Sequence, residues 1–382
     1  MLKLPTEMIE QKLVYIGIGS NVGNRFQHIQ SAIDSIHYEV GSIIEISCCY
    51  ESPAIGFNGS DFINLCIGVR TFLPAELLLS KLLSIEDSNG RERFNDNNYH
   101  NRTIDLDLLL YDQDCISNDV LTVPHQRLEQ RNFVLVPLSE IAGEVHHPKL
   151  NKSILKLRDE CPSTLELKKQ KKKLKNPLKK FNFSRYNFIA IEGNIGAGKT
   201  ILTKMMANDF NAKILLERFA ENPFLPKFYK DKDRFAFPLE MSFLADRFQQ
   251  ISEDIAQLDL FKDFIIADYE VYKSLIFSKV TLSRDEFLLY RKLFYLVYKD
   301  IKRPDLYIFL NQDVDRLIEN VKKRGREYES NLSKEYLKKI NLGYLEFIKE
   351  NSLKKVKIID ITGRDFVANR HDYLWLLSKI GE

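Results

Sequence analysis

Long apolar runs are missing from this 382-residue chain. None approaches the ~18 consecutive apolar residues that a membrane span requires. Cysteine is scarce: Cys48, Cys49, Cys66, Cys115 and Cys161 show neither CxxC spacing nor a disulfide framework. Buried thiols in a reducing, cytoplasmic compartment are therefore expected. Residues 1–12 carry charges and Pro5 instead of the apolar core and cleavage site of a secretory signal. Excess charge of one sign is also nearly absent. The net charge of +3 is too small to imply a nucleic-acid partner. No internal repeat relates the two halves, so two different modules are expected. A hydrophobic content of 44% and the length suffice for two ordinary domains, each with its own core.

The sharpest compositional break is Lys168-Lys169-Gln170-Lys171-Lys172-Lys173-Leu174-Lys175, followed by Asn176-Pro177 and Lys179-Lys180. Like charges this dense repel one another, which predicts an extended linker over 159–184 between domains at 12–158 and 185–382. An arm that attracts phosphate or nucleic acid is the competing reading. No base-reading residues accompany the run, and small-molecule substrates are the expected partners.

Before the break, strands are predicted over 13–18, 43–50, 61–72 and 104–111, and helices over 25–36 and 74–87. The mixture lacks regular alternation and predicts an α+β sandwich with an antiparallel sheet. After the break, short apolar strands at 188–192, 213–217, 264–267 and 306–310 are separated by long helical stretches. That pattern predicts a parallel α/β sheet flanked by helices.

The second half contains Gly193-Asn194-Ile195-Gly196-Ala197-Gly198-Lys199-Thr200, a G-x-x-x-x-G-K-[ST] loop directly after a strand and before a helix. Its glycines let backbone N–H groups turn towards phosphates. Lys199 can reach the β/γ oxygens of ATP, and the Thr200 hydroxyl can hold Mg²⁺. Glu217 ends the second strand, where a carboxylate can take the proton of an attacking hydroxyl, although any exposed strand-end glutamate would look the same. Asp268 ends the third strand and is placed to bind or support the metal. The basic run at 322–329 is either a solvated face or a lid whose arginines neutralise a transferring phosphoryl group.

Three segments make residues 186–380 resemble the deoxyribonucleoside kinases, particularly bacterial deoxyadenosine/deoxyguanosine kinases. They are Glu-Gly-Asn-Ile-Gly-Ala-Gly-Lys-Thr at 192–200, Glu-Asn-Pro-Phe-Leu-Pro-Lys-Phe-Tyr at 221–229, and Arg-x-Arg-x-x-Glu at 324–329. The resemblance implies that Glu217 is the general base for the sugar 5′-OH and that Arg324 and Arg326 form a lid. It further implies that Glu329 grips the 3′-OH and that Asp365 and Phe366 lie near the adenine of ATP. A homodimer through the kinase helices is also implied. Three positions depart from the family pattern: Glu217-Arg218 replaces Glu-Pro, Asp268-Tyr269-Glu270 replaces an acidic-Arg-Ser motif, and Glu240 replaces a base-binding glutamine. An ionised Glu240 only accepts, which suits guanine, while the family similarity leans towards deoxyadenosine.

In the first half, Asn101-Arg102-Thr103-Ile104-Asp105-Leu106-Asp107 is the densest chemical signal. On a strand, Asp105 and Asp107 share a face, and paired carboxylates beside polyphosphate suit Mg²⁺. An exposed polar strand face would give the same pattern. Arg91, Arg93 and Arg102 can bind phosphate oxygens. Thr122, His125, Arg131 and Phe133 follow, and His125 alone would more often be structural.

Residues 13–157 resemble 6-hydroxymethyl-7,8-dihydropterin pyrophosphokinase. The markers are Tyr-Ile-Gly-Ile-Gly-Ser-Asn-Val-Gly at 15–23, Tyr-Glu-Ser-Pro-Ala-Ile-Gly at 50–56, Arg-Thr-Ile-Asp-Leu-Asp at 102–107 and Leu-Thr-Val-Pro-His at 121–125. This implies a ferredoxin-like α+β fold and pyrophosphate transfer from ATP to the pterin hydroxymethyl group, releasing AMP. Asp105 and Asp107 would hold two Mg²⁺ ions, and Phe62 and Phe133 would stack on the pterin. Asn64 and the backbone around Ser52, Pro53 and Ile55 would bind its edge. Glu86, Arg91, Arg93, Arg102, Thr122, His125 and Arg131 would serve ATP or its phosphates. Asn98-Tyr99 replaces an Arg-Trp pair in the loop at 94–101, and Gln126 replaces a tyrosine.

The combined expectation is a bifunctional enzyme joining folate synthesis to deoxynucleoside salvage. Its rival is one active kinase fused to a degenerate domain.

Overall fold

In the computed structural model, residues 11–93, 100–218, 222–256, 262–299, 301–326, 329, 332–350 and 355–382 are described. The chain divides into two compact units between Phe181 and Asn182.

The first unit runs β1 (Lys12–Ser20), α1 (Arg25–Glu39), β2 (Ser42–Ile46), β3 (Tyr50–Ser52), β4 (Phe62–Thr71), α2 (Ala75–Ser88) and β5 (Asp105–Tyr111). The short β6 (Ile116–Ser117) and β7 (Thr122–Val123) follow, then α3 (Asn132–Ala142), α4 (Ile154–Asp159) and β8 (Lys168–Lys169). The main sheet has the order β5-β1-β4-β3-β8, with β2 also on β4, and every pairing is antiparallel. This is the α+β sandwich expected from the sequence.

Period-two alternation divides the strands between two cores. Val14, Ile16 and Ile18 pack with Ile29, Ile33 and Ile36 of α1 and Leu78, Leu82 and Ile85 of α2. These helical positions recur at i, i+4 and i+7, giving each helix one apolar stripe. Tyr15, Cys66 and Leu109 face the other way and pack with Leu135 and Leu138 of α3 and Leu157 of α4. The strand expected over 43–50 is interrupted, because the Cys48 N–H turns away to donate to Glu140 on α3 at 2.7 Å.

The lysine-rich run is not the expected extended linker. Residues up to Phe181 belong to the first unit, and β8 pairs antiparallel with β3. Lys169 Nζ lies 2.8 Å from Glu140, Lys172 covers the Phe26 ring, and Leu178 is buried. Repulsion within the run is offset by carboxylates contributed from elsewhere in the unit. Leu174 and Leu178 add the apolar anchors, with Leu174 packed on the core.

The second unit runs β9 (Phe188–Gly193), α5 (Lys199–Asp209), β10 (Lys213–Leu215), α6 (Leu225–Lys230), α7 (Lys232–Ala256), β11 (Ile265–Ala267), α8 (Lys273–Thr281) and α9 (Arg284–Val297). It continues with β12 (Leu306–Asn311), α10 (Val314–Arg324), α11 (Lys334–Glu350), β13 (Val356–Asp360) and α12 (Arg370–Gly381). Five parallel strands take the order β10-β11-β9-β12-β13. The central strand β9 is buried along its whole length, as a strand covered on both faces must be. Among the described residues no helix is long and apolar enough to cross a membrane.

Candidate active sites

In the first unit, cross-strand register assembles the site. Gly19 of β1 sits opposite Asn64 of β4 on one side and Asp105 of β5 on the other. A Cβ on Gly19 would stand 3.1 Å from the Asn64 side chain, 3.6 Å from Phe62 and 3.8 Å from Asp105. The bare glycine therefore leaves room between the carboxylate and the aromatic group. Phe62, Asn64, Asp105 and Asp107 project on the face covered by α3, whose first turn carries Phe133. Asn64 donates to the Ser52 hydroxyl at 2.9 Å. Pro53 lies beyond the end of β3, and Ile55 is exposed.

Arginines surround the two carboxylates. Asp105 accepts from Arg91 at 2.6 Å and from Arg102 at 2.9 Å, while Arg131 lies 3.6 Å from Asp107. The Asp107 carboxyl is pushed up to about 7, by its enclosure and then by the Asp105 charge beside it. A cation between the two would remove that repulsion, so this oxygen-donor pair fits a divalent metal. The guanidinium of Arg102 lies 5.8 Å from the Phe62 ring centre, and that of Arg131 lies 5.7 Å from Phe133.

Glu86 is among the residues that the resemblance implies would serve ATP or its phosphates. It is buried, accepts from the Leu106 N–H at 2.7 Å, and pairs with both Arg91 and Arg93. Burial raises its carboxyl above the ordinary range despite these partners. It thus holds two arginines beside the strand that carries the aspartates.

Burial, then Arg131 and Arg127, pushes His125 down to about 4. Its Nδ1 accepts from the Arg127 N–H at 3.2 Å, which leaves the proton on Nε2 of a neutral ring. Thr122 accepts from Gln126 at 3.2 Å. Asn21, not anticipated from the sequence, is buried and bridges Ser60, Asn101 and the Arg102 N–H. The Asn98-Tyr99 substitution lies outside the described residues.

In the second unit, the phosphate loop follows β9 as expected. Gly196 and Gly198 adopt φ of +85° and +82°; a Cβ on Gly198 would lie 2.7 Å from Phe366. This places Phe366 against the loop, with the neighbouring Asp365 3.3 Å from Arg316. Ile195 and Ala197 lie within the turn, and Asn194 donates to the Leu337 carbonyl at 2.7 Å. Lys199 reaches the Asn194 carbonyl at 3.0 Å, and burial followed by the Lys273 charge lowers it to about 8.

Asp268 connects the loop to the predicted base. One oxygen accepts from the Thr200 hydroxyl and the other from the Glu217 N–H, at 2.5 and 2.8 Å. Thr200 and Asp268 are hard oxygen donors and fit Mg²⁺.

Glu217 is held by two cations that the sequence reading missed. Arg247 of α7 donates to one oxygen through Nε and Nη2 at 2.9 and 2.5 Å, and Lys273 of α8 donates to the other at 2.5 Å. Burial alone would raise this carboxyl, but Lys273 and Arg247 outweigh burial and hold it well below the ordinary range. Lys273 lies five residues beyond Asp268, so a cation does stand near the site despite Tyr269. Helical spacing could have found Arg247, because it is seven residues from Glu240 on the same face.

Glu240 is buried and accepts from the Thr281 hydroxyl at 2.9 Å; burial pushes its carboxyl up to about 7. Arg324 and Arg326 both pair with the buried Glu329, Arg326 at 3.4 Å. The residues between Arg326 and Glu329 lie outside the described set.

The two folds and their separate carboxylate and phosphate-loop sites define a fusion of two phosphotransferase domains. The chain belongs to the 7,8-dihydro-6-hydroxymethylpterin-pyrophosphokinase family over residues 15–143 and to the deoxynucleoside kinase family over residues 189–382. In the first part it is 43% identical to a 2-amino-4-hydroxy-6-hydroxymethyldihydropteridine pyrophosphokinase of Aquifex aeolicus, covering 38% of this chain and 91% of the relative. In the second it is 35% identical to a deoxyguanosine kinase of Bacillus subtilis, covering 51% of this chain and 96% of the relative. A deoxyadenosine/deoxycytidine kinase of the same organism is 30% identical, over 45% of this chain and 81% of that protein.

Proposed function

We propose that the chain is a bifunctional, cytoplasmic transferase. Its first unit transfers pyrophosphate from ATP to 6-hydroxymethyl-7,8-dihydropterin and releases AMP. Its second transfers the γ-phosphoryl group of ATP to the 5′-OH of a purine deoxyribonucleoside and releases ADP. The observation that carries the reading is that each unit groups its own carboxylates with its own cations, Asp105 with Arg91 and Arg102 in the first and Glu217 with Arg247 and Lys273 in the second. In the first, Asp105 and Asp107 would hold Mg²⁺ along the triphosphate while Arg91, Arg93, Arg102, Arg131, Thr122 and His125 bind the phosphates and nucleoside. Phe62 and Phe133 would sandwich the pterin, with Asn64 and the Ser52–Ile55 backbone at its edge. In the second, Lys199, Thr200 and Asp268 would serve phosphate and metal, with Asp365 and Phe366 beside the adenine of ATP. Glu217 would take the 5′-OH proton, Arg324 and Arg326 would close over the phosphoryl group, and Glu329 would bind the 3′-OH.

The test is incubation of the full chain with Mg-ATP and each acceptor, followed by nucleotide identification. AMP is expected with the dihydropterin and ADP with the deoxynucleoside. Absence of either product would favour a fusion with one degenerate domain. Chelation of Mg²⁺ should stop both.

Glu240 supports a purine preference that depends on protonation. Ionised, it offers two acceptors to guanine N1–H and its amino group. Protonated, it donates to adenine N1 and accepts from N6, as the family glutamine would. The groups facing it are Arg247 on its own helix, Glu217, Lys273 and Thr281, with Tyr290 and Tyr336 on α9 and α11. Deoxyadenosine, the choice towards which family similarity leans, is expected to gain below pH 7 and deoxyguanosine above it. With each purine read by its own protonation state, the ratio of their kcat/KM values should change about a hundredfold between pH 6 and pH 8, about tenfold from each substrate. Glu240→Gln should flatten that change and favour deoxyadenosine; an unchanged pH profile in the variant would remove Glu240 from base selection.

A homodimer is proposed through α9, where Leu288, Leu289, Tyr295 and Leu296 are exposed at i and i+7 spacing. Leu289→Glu with Leu296→Glu should halve the mass found by light scattering. An unchanged mass would place the contact elsewhere.

A further inference from the structure

We propose that the basic strap at 163–178 positions the pterin site, acting as a working part of the pyrophosphokinase unit. The inference rests on the pterin reading of Ser52 and Phe133 given above. Those two residues lie on different elements, β3 and the first turn of α3, and the strap is bonded to both.

At its first end the strap meets α3. The side chain of Asn132, between Arg131 and Phe133, donates to the Leu165 carbonyl at 2.7 Å. Further on, β8 adds to the exposed edge of β3, with Lys168 opposite Glu51 and Lys169 opposite Tyr50. The Gln170 N–H donates to the Cys49 carbonyl at 2.8 Å, and its side chain reaches Glu51 at 3.2 Å. Glu51 is also paired with Arg25 at 2.9 Å.

Glu140 then joins the two elements. This α3 carboxylate accepts from Lys169, from the Tyr50 hydroxyl at 2.7 Å and from the Cys48 N–H at 2.7 Å. Lys169 thus neutralises a carboxylate that would otherwise hold β3 to α3 without a cation. Beyond it, Lys175 and Gln30 exchange hydrogen bonds at 2.8 and 3.0 Å, and Asn176 donates to the Ile43 carbonyl at 3.0 Å. Bonds at both ends and the middle fix the strap's register. A strap secured in this way sets the spacing between the wall bearing Ser52 and the wall bearing Phe133. A flat ring held between two faces is sensitive to that spacing.

The test uses the full chain with Lys169→Ala combined with Gln170→Pro, which removes the ammonium and the backbone donor to Cys49. Lys169→Ala alone guards against misfolding of the double variant, and Lys169→Arg is the conservative control. KM for the dihydropterin should rise about tenfold or more, with KM for ATP unchanged, and Lys169→Arg should restore it. ADP formation by the second unit should stay constant and report the amount of chain in the assay, while an unchanged KM for ATP in the first unit reports that unit's folding. Equal changes in both KM values, or a fall in kcat alone, would show a merely structural strap and overturn the inference. An unchanged dihydropterin KM in both Ala-containing variants would overturn it as well. If the parent chain forms no AMP from dihydropterin, the pterin reading itself has failed, a result separate from these.

Discussion

Asp107→Ala should reduce AMP formation from dihydropterin by about 10³-fold or more, roughly 4 kcal/mol of transition-state stabilisation, and leave ADP formation unchanged. The size follows from what the pair is arranged to do. Asp105 and Asp107 lie on one face of β5, enclosed by Arg91, Arg102 and Arg131. If the pair holds Mg²⁺ as proposed, removing one carboxylate would take away one of the two aspartate donors, and in-line attack at the β-phosphorus would lose its alignment. Unfolding is not expected to explain the loss. The arginine partner of Asp107 is 3.6 Å away, a loose ion pair, so truncation breaks little of the fold. Asp107→Asn separates charge from shape: it should be nearly as inactive as the alanine variant. Wild-type rates of AMP formation in either variant would remove the metal role.

The two sites were legible in the sequence to different degrees. The phosphate loop is contiguous, and its function depends on backbone N–H groups that eight successive residues can specify. The shared face of Asp105 and Asp107 was legible because strand periodicity is local, although an exposed polar strand face reads the same way. The arrangement of Asn64, Gly19 and Asp105 depends on the register of three strands, which a linear reading lacks. Arg247 and Lys273 were missed for a related reason. Each is an ordinary helical cation until the fold brings it to Glu217. The lysine run misled because repulsion was counted within the run alone, whereas Glu51 and Glu140 face it from distant elements. The fold class, by contrast, followed from alternation and from helix–strand order, both of which survive in one dimension.

Glu217→Gln should lower kcat for ADP formation by about 10² to 10⁴-fold, with AMP formation unaffected. It should also destabilise the second unit by ~3–5 kcal/mol, because Arg247 and Lys273 would be left as buried cations with no carboxylate. Thermal melting separates the two effects if rates are measured well below the variant's midpoint. Their pH dependence has a definite sign. The folded carboxyl lies well below its ordinary 4.5, so its stabilisation is present above about 4.5 and is lost as pH falls through the lower folded value. Wild-type stability should therefore decline on acidification below pH 4.5 more steeply than that of the variant. The same pairing limits catalysis, since a carboxylate gripped by two cations is a weak base. If Glu217 is the base, nucleoside binding would have to loosen one of these contacts, and Lys273, with one hydrogen bond against the two from Arg247, is the partner easier to displace. The acid limb of kcat/KM, which reports the free enzyme, should then lie well below pH 4.5. The limb of kcat, which reports the complex, should lie above it. Coincident limbs would mean that Glu217 keeps both cations throughout turnover and that another group accepts the proton.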